Sequence, residues 1–427
     1  MLTPIRVGIA GLGTVGIGVI NIISNNLKLI EQKTGRSIKI VAVSARSKEK
    51  QRGLSLERYD WVPNPIKLAQ RDDIDIFVEL IGGDTGVAKK SVETAISAGK
   101  NVVTANKALL AIHGGKLAKL SEKHNVLLKF EAAVAGGIPV IKVLNESVAI
   151  NKITRVMGVM NGSCNYILTR MEESNLSYSE IFSEAEKLGY LESDPKLDVG
   201  GIDSAHKLAI LSSLAFGTVI SFSGIKIQGI EEITVKEIQY AADMGFRVKL
   251  LGIAEITSGG LVQTVAPCLV PKTSPLSQLE GGINMIVLEC SEAGTIVLQG
   301  PGAGREPTAS SVVSDIIDIA RNSEIKAFGR SYDDLEDSNI SNKPSEAPYF
   351  ISLLLDDKLG ALARVTTTLG NKGISINRMR QYDHDSSRAP VLIITHSTSL
   401  KAVTEAITEL PKTGVVSSDP VILRIEE

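Results

Sequence analysis

Cysteine is scarce in this chain. Three residues, Cys164, Cys268 and Cys290, lie far apart in 427. They are too few and too scattered for a disulfide framework, and no CxxC suggests structural zinc. Histidine is scarce as well, with five in all. His113, His124 and His206 lack ligand spacing such as HExxH, and we read them as structural. Neither sign of charge dominates: 46 Lys and Arg face 48 Asp and Glu, for a net charge of −2. That balance argues against a nucleic-acid scaffold or an electrostatic membrane binder. No apolar run reaches membrane-spanning length. The opening MLTPIRVGIA lacks the basic, apolar and small-residue order of a secretory signal, so a cytoplasmic location is expected. Nucleophile elbow, P-loop, nucleic-acid module, internal repeat and low-complexity tract are all missing. What remains is 43% hydrophobic and 22% charged, normal for a soluble globular protein, with length for about three domains.

Up to residue 137 the pattern alternates short apolar strands with helices. Ile5–Ala10, Ile38–Val43, Ile74–Leu80, Asn101–Thr104 and Val126–Glu131 read as strands, with helical intervals such as Lys89–Ser97 between them. Near-continuous apolar runs suit a parallel sheet covered on both faces, so residues 1–137 should form an α/β, doubly wound, Rossmann-type domain. Residues 138–304 are less regular. Helical patterns at Ser177–Leu188 and Asp203–Phe216 precede strands at Val248–Ala254, Val262–Leu269 and Met285–Cys290, which predicts a mixed α+β domain. A helix at Thr308–Ala320 should bring residues 305–330 back onto the first domain. Residues 331–348, rich in Asp, Ser, Asn, Glu and Pro, read as a linker. Residues 349–427 then run strand Tyr349–Asp356, helix Ala361–Lys372, strands Ile374–Tyr382 and Pro390–His396, helix Leu400–Glu409 and strand Val421–Glu427. That βαββαβ order is a ferredoxin-like unit.

Gly11-Leu12-Gly13-Thr14-Val15-Gly16 follows the first strand and opens a helix. GxGxxG alone is a weak signal, but strand, loop and helix are all in place here. The glycines permit a tight turn and close approach of backbone N–H groups to a pyrophosphate. An NAD site usually carries Asp or Glu at the end of the second strand, for the ribose 2′-hydroxyl. This chain reads Val43-Ser44-Ala45-Arg46-Ser47-Lys48, with no carboxylate before Glu49. Arg46 and Lys48 can neutralise a 2′-phosphate, which favours NADP, with NAD the alternative; two solvated loop cations would look the same.

Lys107 follows a strand C-terminus in VVTANK, where open α/β sheets bind ligands, although surface lysines at such turns are common. The densest polar stretch is GYLESDPKLDVGGIDSAHK, residues 189–207. Asp203 and Lys207, spaced i and i+4, share one helix face. In a cleft the carboxylate would favour the ammonium form, and the pair could protonate a developing alkoxide. On the surface it would be an ion pair worth about 0–1 kcal/mol.

Together these segments resemble homoserine dehydrogenase with a C-terminal ACT domain. The resemblance rests on GLGTVG at 11–16, VELIGG at 78–83, VVTANKALLA at 102–111, EAAVAGGIP at 131–139, NGSCNYILTRM at 161–171, LGYLESDPKLDVGGIDSAHKLAIL at 188–211 and GPGAGREPTA at 300–309. It implies reversible NAD(P)H-dependent reduction of L-aspartate 4-semialdehyde to L-homoserine, in threonine, methionine and isoleucine biosynthesis. By the same resemblance Lys207 is the proton donor, Asp203 its catalytic and substrate-binding partner, and Lys107 the lysine beside nicotinamide and substrate. Glu192 binds the substrate amino group, and Asp198 is a further active-site carboxylate. Gly304 meets the cofactor. Glu131, with backbone oxygens near Val134, Gly136 and Ile138, forms a monovalent-cation site whose hard oxygens suit Na⁺. A homodimer or homotetramer is implied too. Cys164 stands where the family often has a small hydroxyl residue.

Two rival readings carry their own signals. Another ACT-bearing dehydrogenase, such as phosphoglycerate dehydrogenase, would place its glycine fingerprint in mid-chain and use a His–Glu pair. A non-enzymatic amino-acid sensor should have lost Lys107, Asp203 or Lys207, and all three are present. In the C-terminal unit, Asp357-Lys358-Leu359-Gly360-Ala361-Leu362 lies at the turn where the ACT fold binds amino acids, with Leu359 where the family often has Pro. Gly360 lets the backbone approach a ligand, and helix-start N–H groups can meet its carboxylate. The expected effector is L-threonine, acting as a feedback inhibitor.

Overall fold

The computed structural model describes residues 3–191, 194–382 and 387–427. Short apolar runs build the first sheet: β1 (Ile5–Ala10), β2 (Ile38–Ser44), β3 (Asp60–Trp61), β4 (Ile76–Glu79), β5 (Asn101–Thr104) and β6 (Leu128–Lys129). All six are parallel, in the order β3-β2-β1-β4-β5-β6. Central strands are buried on both faces, which is why β4 reads Ile-Phe-Val with no polar alternation. The order reverses between β1 and β4, and that switch point opens a crevice at the strand C-termini. Helix Arg305–Ala320 returns to this layer. Its Ala309, Val312 and Ile316 pack with Val19, Ile20 and Ile23 of helix Thr14–Asn25.

The central region contributes β7 (Ile153–Val159), β8 (Lys226–Ile227), β9 (Phe246–Thr257), β10 (Gly260–Pro271), β11 (Ile283–Cys290) and β12 (Gly294–Pro301). Sequence patterning missed β7, β8 and β12. The last is an edge strand with polar and apolar residues mixed, so it carries little hydrophobic signal. Helix Ile202–Phe216 is buried almost throughout. It lies between this sheet and helix Lys107–Lys123 of the first layer, so the two helix starts meet. The expected strand Val126–Glu131 is cut to β6, because Glu131 enters a 3₁₀ turn, Glu131–Ala133, and its side chain bonds elsewhere.

The C-terminal unit folds as β13 (Tyr349–Asp356), helix Ala361–Asn371, β14 (Ile376–Gln381), β15 (Arg388–Thr395), helix Leu400–Glu409 and β16 (Val421–Ile425), with sheet order β16-β13-β15-β14. β16 pairs in parallel with β10, so the two sheets form one ten-stranded sheet. The connecting segment has the polar composition of a linker but is pinned at several points. Glu336 bridges Thr218, Ile340 bridges Leu261, and Ser345 donates to Glu255. The three cysteines are free and buried. Among the described residues no helix is long and apolar enough to cross a membrane.

Candidate active site

A cleft of about 520 Å³ opens between the two layers. Thr14, Lys107, Asn161, Asp198, Asp203, Lys207 and Gly304 line it. The glycine loop forms one wall. Gly11 has φ of +107°, and a Cβ there would meet the Leu80 carbonyl oxygen at 2.2 Å. A Cβ on Gly16 would strike the Gly11 carbonyl at 2.0 Å. Neither position accepts a side chain, so the turn is tight as a pyrophosphate requires. Helix Thr14–Asn25 starts at Gly13 without a side-chain cap, which leaves first-turn N–H groups for an anion. Across the cleft Gly304, with φ of +120°, starts helix Arg305–Ala320 in the same uncapped way. Leu12 is buried, and Val15 shares the cleft wall with Thr14.

At the centre stands Asp203, 4% exposed. Its Oδ2 accepts from Lys207 Nζ at 2.7 Å and Asn161 Nδ2 at 2.9 Å, and its Oδ1 pairs with Lys107 Nζ at 2.9 Å. Burial opposes ionisation of Asp203. Lys207 and Lys107 outweigh it and hold the carboxyl well below the usual carboxylate range. Lys207 also donates to the Met160 carbonyl at 2.6 Å. An ammonium with two donors so used keeps a third, and Lys207 lines the cleft. Asp198 accepts from Asn161 Nδ2 at 2.8 Å, and Cys164 Sγ donates to the Asp198 carbonyl at 3.2 Å. Burial raises the Cys164 thiol far above its ordinary value, so it stays a thiol.

The structure thus brings Lys107, Asp198, Asp203, Lys207, Gly304 and the glycine loop to one cleft. Glu192 lies outside the described residues. Arg46 and Lys48 are exposed in the turn after β2. Sequence reasoning missed Asn161, which clamps both aspartates and caps helix Gly162–Ser174 through the Cys164 N–H at 2.8 Å; an Asn-Gly-Ser after an apolar run was its local signal. It also missed Asn284, which donates to the same Met160 carbonyl at 3.1 Å. Arg52 was missed as well. Its guanidinium donates to the Leu12 and Ser47 carbonyls and so ties the turn after β2 to the glycine loop.

Glu131 is buried beside this cleft. Its two oxygens accept the Ile141 and Lys142 N–H groups, each at 2.9 Å. Burial pushes its carboxyl up to about 7, against the pull of those two bonds. The Gly136 carbonyl accepts the Ser311 hydroxyl at 2.7 Å, and that of Ile138 accepts the Val140 N–H at 2.8 Å. Among the described residues no group of three His, Cys, Asp or Glu could hold a metal ion. Glu131 thus offers one buried carboxylate, both oxygens of which already accept a backbone N–H.

Three family models match in order: the homoserine dehydrogenase NAD-binding domain over 11–131, homoserine dehydrogenase over 139–317 and the ACT domain over 349–412. The homoserine dehydrogenase of Neisseria gonorrhoeae is 38% identical over 100% of this chain and 99% of its own. The chain belongs to the homoserine dehydrogenase family. That of Bacillus subtilis is 34% identical over 100% of this chain and 99% of its own. The crystal structure of a homoserine dehydrogenase from Thiobacillus denitrificans is 36% identical, with a TM-score of 0.94, over 99% of this chain and 98% of that one. A hyperthermophilic archaeal homoserine dehydrogenase in complex with NADPH is 27% identical, with a TM-score of 0.63, over 74% of this chain and 97% of that one. This protein is therefore an NAD(P)-dependent oxidoreductase with a C-terminal ACT domain. The phosphoglycerate dehydrogenase and sensor readings give way to that full-length match.

Proposed function

We propose that the cleft reduces the aldehyde of L-aspartate 4-semialdehyde with Lys207 as the proton donor. The carrying observation is Asp203, which holds the Lys207 and Lys107 ammonium groups at 2.7 and 2.9 Å in one buried site. When bound, the dinucleotide supplies the hydride. Negative charge then grows on the substrate oxygen, and two ammonium groups facing it offset that charge. Lys207 delivers the proton, held in direction by Asp203 and the Met160 carbonyl. Lys107 is held beside Asp203 at 2.9 Å. Asp198, with Asn161, and Glu192 orient the amino-acid end of the substrate. The test is oxidation of NADPH with the semialdehyde, comparing wild type with Lys207→Ala.

The same reading assigns NADP as the preferred dinucleotide, with Arg46 and Lys48 facing its 2′-phosphate. No carboxylate ends β2, and Arg52 holds the turn that carries both cations against the glycine loop. Glu131 and the carbonyls of Val134, Gly136 and Ile138 would hold Na⁺. A cation there favours the charged form of the buried carboxylate. L-Threonine is the proposed effector, bound at Gly360. That residue has φ of +79° and opens helix Ala361–Asn371 with no side-chain cap. A second copy of the chain completes the assembly as a homodimer or homotetramer. The edge strand β12, with Val297 47% exposed, leaves the central sheet open on that side.

A further inference from the structure

Glu79 is a buried acid that the chemistry above leaves unused. It ends β4 with 0% exposure. One oxygen accepts the Ile81 N–H at 2.7 Å and the Gly82 N–H at 3.0 Å; the other accepts the Thr104 hydroxyl at 2.6 Å. Thr104 ends β5 directly opposite Glu79 in the parallel register. Its hydroxyl oxygen accepts the Asn106 N–H at 3.0 Å. Asn106 closes the circuit: its amide donates to the Gly83 carbonyl at 2.7 Å, and its side-chain oxygen caps the Leu109 N–H at 3.1 Å. The next residue is Lys107.

The donor inventory fixes the direction of every bond. The Thr104 hydroxyl donates its single proton to Glu79 and accepts the Asn106 N–H on a lone pair, so both of its roles are taken. A carboxylate held by three donors in a dry site loses much if any one is removed. Two strand ends and the loop between them thereby fix where helix Lys107–Lys123 begins. That start sets whether the Lys107 ammonium reaches Asp203.

We propose that Glu79, acting through Thr104 and Asn106, is a positioning residue that aims Lys107 at the reacting centre. The proposal rests on the role given to Lys107 above. Thr104→Val keeps the shape and removes both the donor and the acceptor, while Thr104→Ser keeps the hydroxyl. Steady-state oxidation of NADPH by the semialdehyde should show kcat lowered on the order of ten- to a hundred-fold in T104V. Both KM values should change little, and T104S should regain most of the rate. Glu79→Gln should lower kcat too, and the E79Q/T104V double variant should be no worse than T104V. In a Lys107→Ala background T104V should cost nothing further, since the residue it positions is gone. Circular dichroism establishes the fold of each variant first. Wild-type kcat in folded T104V and E79Q overturns the proposal. So does a T104S no better than T104V, or an additive loss in the K107A background. K107A alone with wild-type turnover instead refutes the role of Lys107, a separate failure.

Discussion

Asp203→Asn is the sharpest perturbation of the site. The wild-type carboxylate meets Lys207 at 2.7 Å and Lys107 at 2.9 Å. At those separations, with an effective dielectric constant of about 20, each attraction is about 6 kcal/mol. Taking three charges out of water cancels most of that. Removing the one carboxylate that both ammonium groups share should still cost about 3–5 kcal/mol of stability, as for a broken buried pair. The asparagine variant leaves the buried Lys207 ammonium and the part-exposed Lys107 ammonium with no shared anion. Turnover in semialdehyde reduction should therefore fall on the order of 10²–10⁴-fold, as when a positioned general acid is lost. Stability should change in a defined sense. The folded-state pKa of Asp203 is depressed, so its contribution is present above the unfolded value of about 3.9 and lost as pH falls through the folded one. At neutral pH the variant lacks all of that contribution and should melt lower. The assays are kcat, thermal melting against pH by circular dichroism, and NADPH binding by fluorescence. Turnover and melting both near wild type refute the shared-anion argument.

Lys207→Ala should cut turnover by ~10²–10⁴-fold while NADPH affinity stays nearly intact. A native-like variant with near-wild-type turnover removes Lys207 from the mechanism. Arg46→Ala should raise KM for NADPH far more than for NADH, because only NADPH brings a 2′-phosphate; equal effects on both sink the assignment. Deleting residues 345–427 should leave activity and abolish inhibition by threonine. A truncated enzyme that stays equally sensitive places the regulatory site elsewhere, and an intact enzyme that ignores threonine makes the unit structural.

The site was legible where chemistry follows local spacing. Asp203 and Lys207 sit one helical turn apart, so their pairing needs no tertiary information. The glycine loop was legible because strand, turn and helix surround it. That Lys107 joins them was implied by the family resemblance and by no spacing. Their contact depends on helix Ile202–Phe216 lying against helix Lys107–Lys123 with the two starts level, and no sequence period encodes that. The Met160 carbonyl, which steadies Lys207, is a backbone atom and leaves no trace in residue type. Asn284 falls just before the expected strand Met285–Cys290 and inside the observed β11, where a lone polar residue carries no signal of its own. Arg52 comes after the turn that holds Arg46 and Lys48 and folds back over it onto Leu12, a reversal that charge pattern alone does not show.

Backbone pairing explains the largest departure as well. Residues 331–348 are polar, and polar composition marks a linker because it cannot build a core. Their peptide groups still pair with Thr218 and Leu261, and that pairing is indifferent to side chains. The C-terminal unit was expected as a separate ferredoxin-like fold, yet its last strand completes the edge of β10. Charges reinforce the seam. Arg155 on β7 pairs with Glu426, Arg424 pairs with Glu426 at 2.6 Å, and Glu255 on β9 takes both Ser345 and Arg155. Glu426 and Glu255 are buried, so removing one partner leaves an uncompensated charge, which costs more than losing an exposed pair. β7 meets the C-terminal unit at Arg155 and runs on to the Met160 carbonyl beneath Lys207. The truncation therefore removes a charge partner from the strand that leads into the candidate active site. Its basal kcat must be compared with wild type before any loss of threonine sensitivity is read as loss of a binding site.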